Sequence, residues 1–263
     1  MVRAAAAAGL DVVALTDHDT TAGWAEAADA RPAGLTLVRG MEMSCTGAGE
    51  DGAPVAVHLL AYLFDPANAA FARERERLRA ERVTRVRTMA ERMAADGLPI
   101  DPDEVLAAAG GSAGRPHLAR ALVAAGVVPD VGAAFTDLLS TRGRYYVEKA
   151  DTPLRHAVRM VAAAGGVTVI AHARARTRGR LLSIPAIREL AAAGLTGLEI
   201  DHPDHVAADR EVLTELAAEL GLLTTGASDY HGTDKTIGLG ECITAPAQFD
   251  NLVGRATGIP VLW

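Results

Sequence analysis

The stretch LDVVALTDHD, residues 10–19, decides the fold of this chain. Apart from Asp11, its first six residues form an apolar run that is typical of a strand buried on both faces. Asp17, His18 and Asp19 follow at once, where a strand of an α/β protein passes into its loop. Active sites of parallel α/β folds lie at such carboxyl ends, so this cluster predicts a metal or acid–base site. The competing interpretation is a turn in which Asp19 and the threonines after it cap the next helix.

Segments of strand and helix character alternate over both ends of the chain. Before residue 65, strands are predicted at 10–15, 35–43 and 55–62, with a helix at 22–30. From residue 153, helices are predicted at 153–164, 184–193 and 205–220, and strands at 166–172, 195–200 and 222–226. Repeated βα units of this length predict a barrel or a doubly wound sheet. The short glycine-rich turn at 47–52 also permits an antiparallel hairpin between the second and third strands.

The middle of the chain has a different, helical character. A long helical pattern covers 68–96, shorter ones lie near 101–109, 115–125 and 130–140, and a strand is predicted at 144–147. The sequence therefore predicts a discontinuous α/β domain, residues 1–66 and 150–263, and a helical insertion, residues 67–149.

Composition excludes several classes of protein. The chain has 263 residues, 49% of them hydrophobic, which is enough for one large core. A net charge of −7 argues against binding of duplex DNA by bulk electrostatic attraction. Cys45 and Cys242 have no CxxC spacing, which excludes a disulfide framework and a cysteine zinc site. No apolar run reaches membrane-spanning length and no signal-peptide layout is present, so we expect a cytoplasmic protein without membrane contact.

Residues of the kind that bind metals recur at the ends of the predicted strands. They are Asp17, His18, Glu42, His58, His172, Asp229 and His231. Histidine and carboxylate ligands without thiolate suit manganese, zinc or iron rather than a structural zinc site. A carboxylate such as Glu42 can bridge two ions, and multi-metal sites hydrolyse phosphoesters. Taken singly, His58 could be a core histidine and Glu42 the partner of an arginine.

Five motifs, in this order, resemble the PHP (polymerase and histidinol phosphatase) superfamily. They are Thr16-Asp17-His18, Gly40-x-Glu42, His58, Ala171-His172-Ala173-Arg174 and Ser228-Asp229-Tyr230-His231-Gly232. The resemblance spans nearly the whole chain and implies a distorted (β/α)7 TIM-like barrel that hydrolyses phosphoesters with up to three divalent metal ions.

The resemblance also implies a role for each matching residue. Glu42 would bridge two ions, His58 and His172 would complete one of these two sites, and Asp229 would serve the other. His18 and His231 would hold a third ion. Asp17 would orient the metal ligands without binding a metal ion itself. All of these except His58 are also the candidate catalytic residues.

The helical insertion resembles that of one particular group within the superfamily. Its arginine-rich helix and the segment GRPHLAR, residues 114–120, resemble the nucleoside 3′,5′-bisphosphate phosphatases, whose relatives trim RNA from its 5′ end. The resemblance implies phosphate contacts from Arg79, Arg82, Arg115 and His117. Residues 67–97 carry eight arginines and five acidic residues, an excess of three positive charges. Guanidinium groups bind phosphate oxygens bidentately, but such a helix is more usually a solvated face with i,i+4 ion pairs.

The chain departs from the family at its start. PHP proteins begin with a strand that bears His-x-His, and here nothing precedes a helix remnant at Val2. The barrel is therefore expected to lack its first strand and several metal ligands. We expect Met1 to lie inside the first helix of a longer natural protein. The alternative is a short paralogue that has lost catalysis.

The sequence thus predicts a metal-dependent phosphoesterase that hydrolyses a phosphomonoester of a small nucleotide such as a nucleoside 3′,5′-bisphosphate. Manganese is the expected metal, with zinc or iron as alternatives. Two other functions stay open: a 5′-3′ exonuclease on short RNA, and a catalytically impaired nucleotide-binding domain. Glu199, His202 and His205 lie near another strand end and could help to bind substrate, but the resemblance gives them no place among the metal ligands.

Overall fold

The structure, a computed structural model, describes residues 1–109, 112–232 and 237–263. The chain divides into two compact units. Residues 1–72 and 151–263 form one, named here the α/β unit, and residues 73–150 form the other, named the helical unit.

A seven-stranded sheet is the centre of the α/β unit. Its strands are β1 (Val12–Leu15), β2 (Thr36–Ala48), β3 (Pro54–Tyr62), β4 (Thr152–Pro153), β5 (Val167–Ile170), β6 (Gly197–Asp201) and β7 (Leu223–Gly226). The strand order is β1-β2-β3-β5-β6-β7, and the short β4 pairs with β2 outside this path. Only β3 is antiparallel to its neighbours, so the sheet is mixed.

The hairpin between β2 and β3 accounts for the antiparallel strand. In its turn the Gly49 N–H donates to the Ala53 carbonyl at 2.8 Å, and Gly52 has a φ of +77°, which glycine adopts without steric cost. This confirms the hairpin that the glycine-rich turn permits. Because β3 runs in the opposite direction, His58 pairs with Ser44 near the end of β2. His58 therefore lies at the same edge of the sheet as the carboxyl ends of the parallel strands.

The α/β unit has six helices among its described residues, the first of which precedes β1. They are α1 (Val2–Ala7), α2 (Trp24–Asp29), α7 (Leu154–Ala163), α8 (Ile184–Ala192), α9 (Ala207–Leu220) and α10 (Pro246–Arg255), with a 3-10 turn at Arg176–Arg178. In α7 the buried residues Leu154, Ala157, Val158 and Val161 recur at i, i+3, i+4 and i+7, the spacing of an apolar helix face. At the start of α8 the Ser183 hydroxyl accepts the Ala186 N–H, as an N-cap does.

The face of the sheet that carries Glu42 also carries buried apolar side chains that pack against α10. Leu60 of β3 and Val169 of β5 belong to a buried cluster that includes Leu252 of α10. Leu60 pairs with Glu42, so the two side chains share this face. Each fully buried Leu or Val contributes about 1.5–3 kcal/mol relative to an exposed one. These apolar side chains therefore supply a rigid support beside the polar residues at the strand ends.

The predicted α/β class is confirmed, with a curled mixed sheet and helices around it. The strand count of a (β/α)7 barrel and the lack of a first strand stay predictions.

The helical unit contains most of α3 (Ala69–Ala95) together with α4 (Pro102–Ala109), α5 (Arg115–Ala124) and α6 (Val131–Asp137). Met89 and Met93 of α3 pack with Leu118 and Leu122 of α5 in its core, and all four side chains are fully buried. Because these residues pack together in one core, apolar residues recur at helical spacing along this part of the sequence.

The strand predicted at residues 144–147 is wrong. No strand is present there, and the backbone carbonyls of the segment bind arginines of α3 instead. Arg92 donates to the Tyr146 carbonyl at 3.1 Å, and Arg85 donates to the Val147 carbonyl at 2.7 Å. Tyr145 packs in the helical core, and Arg85 lies over the ring of Tyr146 at 5.0 Å. The aromatic residues that suggested a strand therefore serve helix packing and cation–π contacts.

Among the described residues, no helix combines the length and the apolar character that a membrane span requires. Cys45 is buried and Cys242 is partly exposed, and the two cysteines do not form a disulfide with each other.

Candidate metal centre

The candidate ligands of the α/β unit come from the ends of several strands at one edge of the sheet. Asp17 and His18 follow β1, Glu42 lies on β2, His58 lies on β3, His172 follows β5, and Asp229 and His231 follow β7. His18 also forms a parallel bridge with Glu42, which extends the pairing of β1 and β2 into the site.

Glu42 lies among three imidazole rings. Its Oε1 is 2.6 Å from His58 Nδ1 and 3.3 Å from His172 Nε2, and its Oε2 is 3.5 Å from His18 Nδ1. The carboxylate is 8% exposed. Burial alone raises its pKa, but the charges of His18 and His58 and the hydrogen bonds from His172 and His58 hold the pKa of Glu42 well below its ordinary value. Glu42 is therefore a buried, ionised carboxylate.

These donor atoms have the spacing of metal ligands. Glu42 Oε1, His58 Nδ1 and His172 Nε2 lie 2.6, 3.2 and 3.3 Å from one another. Ligands bound about 2.0–2.2 Å from one ion are separated by roughly 3 Å. The donor atoms of His18, Glu42 and His58 also lie within 4.8 Å of one another. The two nitrogens of His58 and His172 face each other and the same oxygen, and a divalent cation satisfies all three atoms at once. The residues therefore fit a divalent metal ion.

His172 is held in the form that binds metals. Burial lowers its pKa to about 4, opposed by its hydrogen bond to Glu42. A histidine must be neutral to bind a metal, so His172 needs no deprotonation near neutral pH. Its φ of +33° is left-handed, a conformation that costs a residue with a side chain about 1–3 kcal/mol.

Asp19 anchors the loop after β1 to the strand that carries Glu42. The Ser44 N–H and hydroxyl donate to its two carboxylate oxygens, both at 2.7 Å, and Asp19 is 1% exposed. Its φ of +54° is also left-handed. Asp19 does not cap α2, whose N-cap is Gly23. The helix-cap interpretation of Asp19 is therefore wrong, because both of its oxygens bind Ser44 across the site.

Asp17 and His231 lie on the His18 side of the site. Burial raises the pKa of Asp17, and the charge of His231 opposes this shift. The rings of His18 and His231 are 6.2 Å apart between centroids, and His231 is 41% exposed. His231 Nδ1 donates to the Asp229 carbonyl at 2.8 Å. His231 is therefore an exposed member of this site.

Asp229 forms an ion pair with an arginine, Arg178, that the sequence motifs did not include. Arg178 Nη2 donates to Asp229 Oδ2 at 2.6 Å, and Arg178 Nε donates to Asp204 Oδ2 at 2.6 Å. Burial raises the pKa of Asp229, but His202 and Arg178 together hold this pKa below its ordinary value.

The end of β6 adds two buried groups with no predicted role as ligands. Glu199 Oε2 accepts the backbone N–H of His172 at 2.8 Å, and burial raises the pKa of Glu199 to about 8. His202 is fully buried, and its ring centroid lies 5.4 Å from that of His172. Their signal in the sequence was position alone, since they lie near the end of a strand whose carboxyl end is at the same edge of the sheet as the metal-type residues.

In the helical unit, three of the four predicted phosphate contacts lie around the start of α5. His117 Nδ1 lies 3.2 Å from the Gly114 nitrogen, and Arg82 Nη1 lies 3.7 Å from the position of a Cβ on Gly114. Burial lowers the pKa of His117, helped by the charges of Arg120 and Arg82. Arg115 donates to the Leu139 carbonyl at 3.0 Å. Arg79 is different, because it is exposed and pairs with Glu76 at 3.0 Å.

Comparison with known proteins gives a consistent result. No family model matches the chain. It is similar to the 3′,5′-nucleoside bisphosphate phosphatase of Chromobacterium violaceum, with 32% identity over 237 residues that cover 86% of this chain and 79% of that protein. It is also similar to a 5′-3′ exoribonuclease of Haemophilus influenzae, with 31% identity over 236 residues that cover 88% and 83% of the two chains. A crystal structure from Bifidobacterium adolescentis, assigned to the metal-dependent phosphoesterases, matches 97% of this chain and 90% of that one, with a TM-score of 0.88 and 39% identity.

The fold, the histidine and carboxylate centre and these relatives together define a metal-dependent phosphoesterase, a hydrolase that acts on phosphoester bonds. Within that class, the chain belongs to the PHP superfamily, which confirms the resemblance of its five motifs.

Proposed function

We propose that the chain hydrolyses a phosphomonoester of a small nucleotide, such as a nucleoside 3′,5′-bisphosphate, at the centre around Glu42. The observation that carries this proposal is the ionised, buried Glu42 carboxylate within 3.5 Å of nitrogens of His18, His58 and His172. The name of the Chromobacterium violaceum relative supplies the substrate class.

The candidate ligands divide among up to three ions in this proposal. Glu42 would be shared by two of them, His58 and His172 would help to hold one of these two, Asp229 would help to hold the other, and His18 and His231 would hold the third. Manganese is the proposed metal, because the donors are nitrogen and oxygen without thiolate, and zinc and iron are the alternatives. Bound divalent ions supply electrophilic stabilisation of the charge that develops on phosphoryl oxygens. Asp17 orients the ligands near His18 and His231.

The helical unit carries a candidate phosphate-binding site of its own in the same proposal. Arg82, Arg115 and His117 surround the start of α5, where backbone N–H groups also favour an anion. Burial lowers the pKa of Arg115, and the nearby charge of Arg85 lowers it further. A phosphate dianion would relieve this repulsion between guanidinium groups. Arg79 joins the site only if it leaves its exposed ion pair with Glu76.

A second candidate is 5′-3′ exonuclease activity on short RNA. It is favoured by the Haemophilus influenzae exoribonuclease, whose identity to this chain is within one percentage point of that of the phosphatase relative. Both reactions break a phosphoester bond and use the same centre. They differ in whether a nucleotide or an oligonucleotide chain has to be bound.

Competition between two substrates tests the proposal. We expect kcat/KM with manganese for a nucleoside 3′,5′-bisphosphate to exceed that for a 5′-phosphorylated RNA tetranucleotide. Release of 5′ mononucleotides from the RNA with the higher kcat/KM would select the exonuclease. Hydrolysis of neither substrate would contradict both candidates.

We propose in addition that the curled sheet is part of a distorted (β/α)7 barrel of the PHP type. The alternation of strands and helices on both sides of the helical unit supports this finer description. An experimental structure of the manganese-loaded protein would test the strand count.

A further inference from the structure

Two buried polar side chains at the end of β6 touch the candidate metal centre without belonging to its predicted ligands. Glu199 is 2% exposed and His202 is 0% exposed. Burying a polar side chain costs free energy unless it has a specific hydrogen-bond partner. The partners of both side chains beside the centre therefore indicate what each of them does.

The ring of His202 has a defined proton position. The Asp204 N–H donates to His202 Nδ1 at 3.0 Å, so Nδ1 presents its lone pair to this bond. In a neutral imidazole the other nitrogen then carries the proton. His202 Nε2 is therefore a donor in the structure. A metal-binding histidine has the opposite arrangement, because its second nitrogen donates a proton to a carbonyl or a carboxylate.

The donor on His202 points between two acids. Nε2 lies 3.8 Å from Asp229 Oδ2 and 3.9 Å from Glu199 Oε2. It is fully buried and has no hydrogen-bond partner among the described residues. A buried donor without a partner costs about 1–3 kcal/mol. A shift of less than 1 Å toward Asp229 would bring the pair within hydrogen-bond distance.

Glu199 and His202 each contact one candidate metal ligand. These two ligands follow β5 and β7, and both have a left-handed backbone conformation. His172 has a φ of +33° and donates its backbone N–H to Glu199, while Asp229 has a φ of +49° and faces His202. Such conformations persist only where surrounding contacts hold them. The end of β6 thus supplies one contact for each ligand.

We propose that His202 is a positioning residue, whose Nε2–H donates to Asp229 Oδ2 and directs the other carboxylate oxygen toward the metal. This inference rests on the proposed function, since it takes Asp229 as a ligand. His202 itself binds neither the metal nor the substrate.

Manganese affinity of variants at residue 202 tests the proposal. His202→Phe keeps a ring of similar size but removes the donor, and His202→Gln keeps an N–H donor. We expect His202→Phe to weaken manganese binding about 10- to 100-fold, the usual effect of removing such a contact, and His202→Gln to stay within about threefold of the wild type. Isothermal titration of the metal-free proteins measures both, and circular dichroism verifies their folding.

His205 provides a matched control on the same loop. It is 4% exposed, and among the described residues its ring nitrogens bond to backbone groups, namely the Ile200 carbonyl, the Arg174 N–H and the backbone of His172. His205→Gln should therefore leave manganese affinity near that of the wild type. Equal losses in His202→Phe and His205→Gln would show a general effect of the loop and overturn the proposal, as would unchanged affinity in His202→Phe.

A measurement on the wild type keeps the test decisive if His202→Phe does not fold. Nitrogen-15 NMR of the histidine rings, with His202→Gln to identify the signals, should show Nε2 of residue 202 protonated before and after zinc addition. A zinc-bound Nε2 would make His202 a ligand and overturn the proposal. If the wild type binds neither metal, the proposed function fails instead.

Discussion

At the residue scale, the centre depends on how neighbouring groups set the charge of Glu42. Three imidazoles within 3.5 Å stabilise its carboxylate despite burial. A buried anion is costly unless it is paired, and here its partners are themselves candidate ligands. The hydrogen bond from His172 favours the ionised form of Glu42, whereas burial keeps His172 itself neutral.

Glu42→Gln should remove most metal binding, because an amide keeps the size of the side chain and loses its charge. We expect manganese affinity to fall at least about tenfold, measured by titration with metal analysis of the dialysed protein. Glu211→Gln, on an exposed position of α9, is the control and should bind manganese normally. Normal affinity in Glu42→Gln would mean that the ligand assignment is wrong.

Asp19→Ala should destabilise the protein although Asp19 is not a proposed ligand. The change leaves the buried Ser44 N–H and hydroxyl without the two acceptors they have at 2.7 Å. We expect a loss of about 2–4 kcal/mol in urea unfolding. Asp29→Ala, at the exposed end of α2, should change stability little. Equal stability of the two variants would refute the anchoring role of Asp19.

The sequence could identify candidate site residues where their position near a strand end was sufficient to select them. It selected His18, Glu42, His58 and His172, whose side chains meet in the structure. It did not find the bond between Asp19 and Ser44 or the direction of the His202 ring. The first depends on a contact between the loop after β1 and strand β2, and the second on the conformation of the loop after β6, and the periods of strands and helices contain neither kind of information.

At the element scale, the arginines of α3 have several kinds of partner. Arg77, Arg85 and Arg92 donate to backbone carbonyls of residues 146–150, and Arg79 pairs with Glu76. The charge pattern of the helix could not predict which arginines bind backbone carbonyls and which pair with a carboxylate. It also could not reveal that residues 144–147 lack strand partners, because aromatic residues favour strands and helix packing alike.

Arg115→Met should weaken nucleotide binding with little effect on the chemical step. Methionine keeps the apolar packing against Phe135 but removes the guanidinium. We expect KM for a nucleoside 3′,5′-bisphosphate to rise about tenfold or more, the effect of losing a charged hydrogen bond, while kcat changes little. Arg87→Met is the control, because Arg87 pairs with the exposed Asp103. An unchanged KM in Arg115→Met would remove Arg115 from the phosphate site.

Asp209 should stabilise the loop after β5 in a pH-dependent way. Hydrogen bonds from Arg176 and Arg174 lower its pKa to about 2, and its side chain is 2% exposed. Because this pKa lies below the unfolded value, the stabilisation is present above about pH 4 and is lost as the pH falls through 2.

Asp209→Asn should therefore cost about 1–2 kcal/mol at pH 7, and the difference from the wild type should shrink to about half by pH 3. Urea unfolding at both pH values measures it, with Glu219→Gln at an exposed ion pair as the control. A difference that does not depend on pH would show that packing, and not charge, is lost.

At the scale of the whole molecule, the chain joins a mixed α/β sheet to a helical unit. The alternation of strands and helices was visible in the sequence because each element buries one face and repeats its own period. The antiparallel β3 was not decided by that pattern, since a glycine-rich turn permits a hairpin without requiring one. That one strand direction brings His58 to the edge where Glu42 lies.

Metal-dependent phosphate release tests the central claim most directly. The protein is freed of metal with a chelator and dialysed, and phosphate release from a nucleoside 3′,5′-bisphosphate is then followed with and without added manganese. We predict no release from the metal-free protein, release that saturates with manganese, and none from His172→Ala, which loses the neutral nitrogen beside Glu42 and His58. A full rate without metal, or in His172→Ala with manganese, would contradict the account.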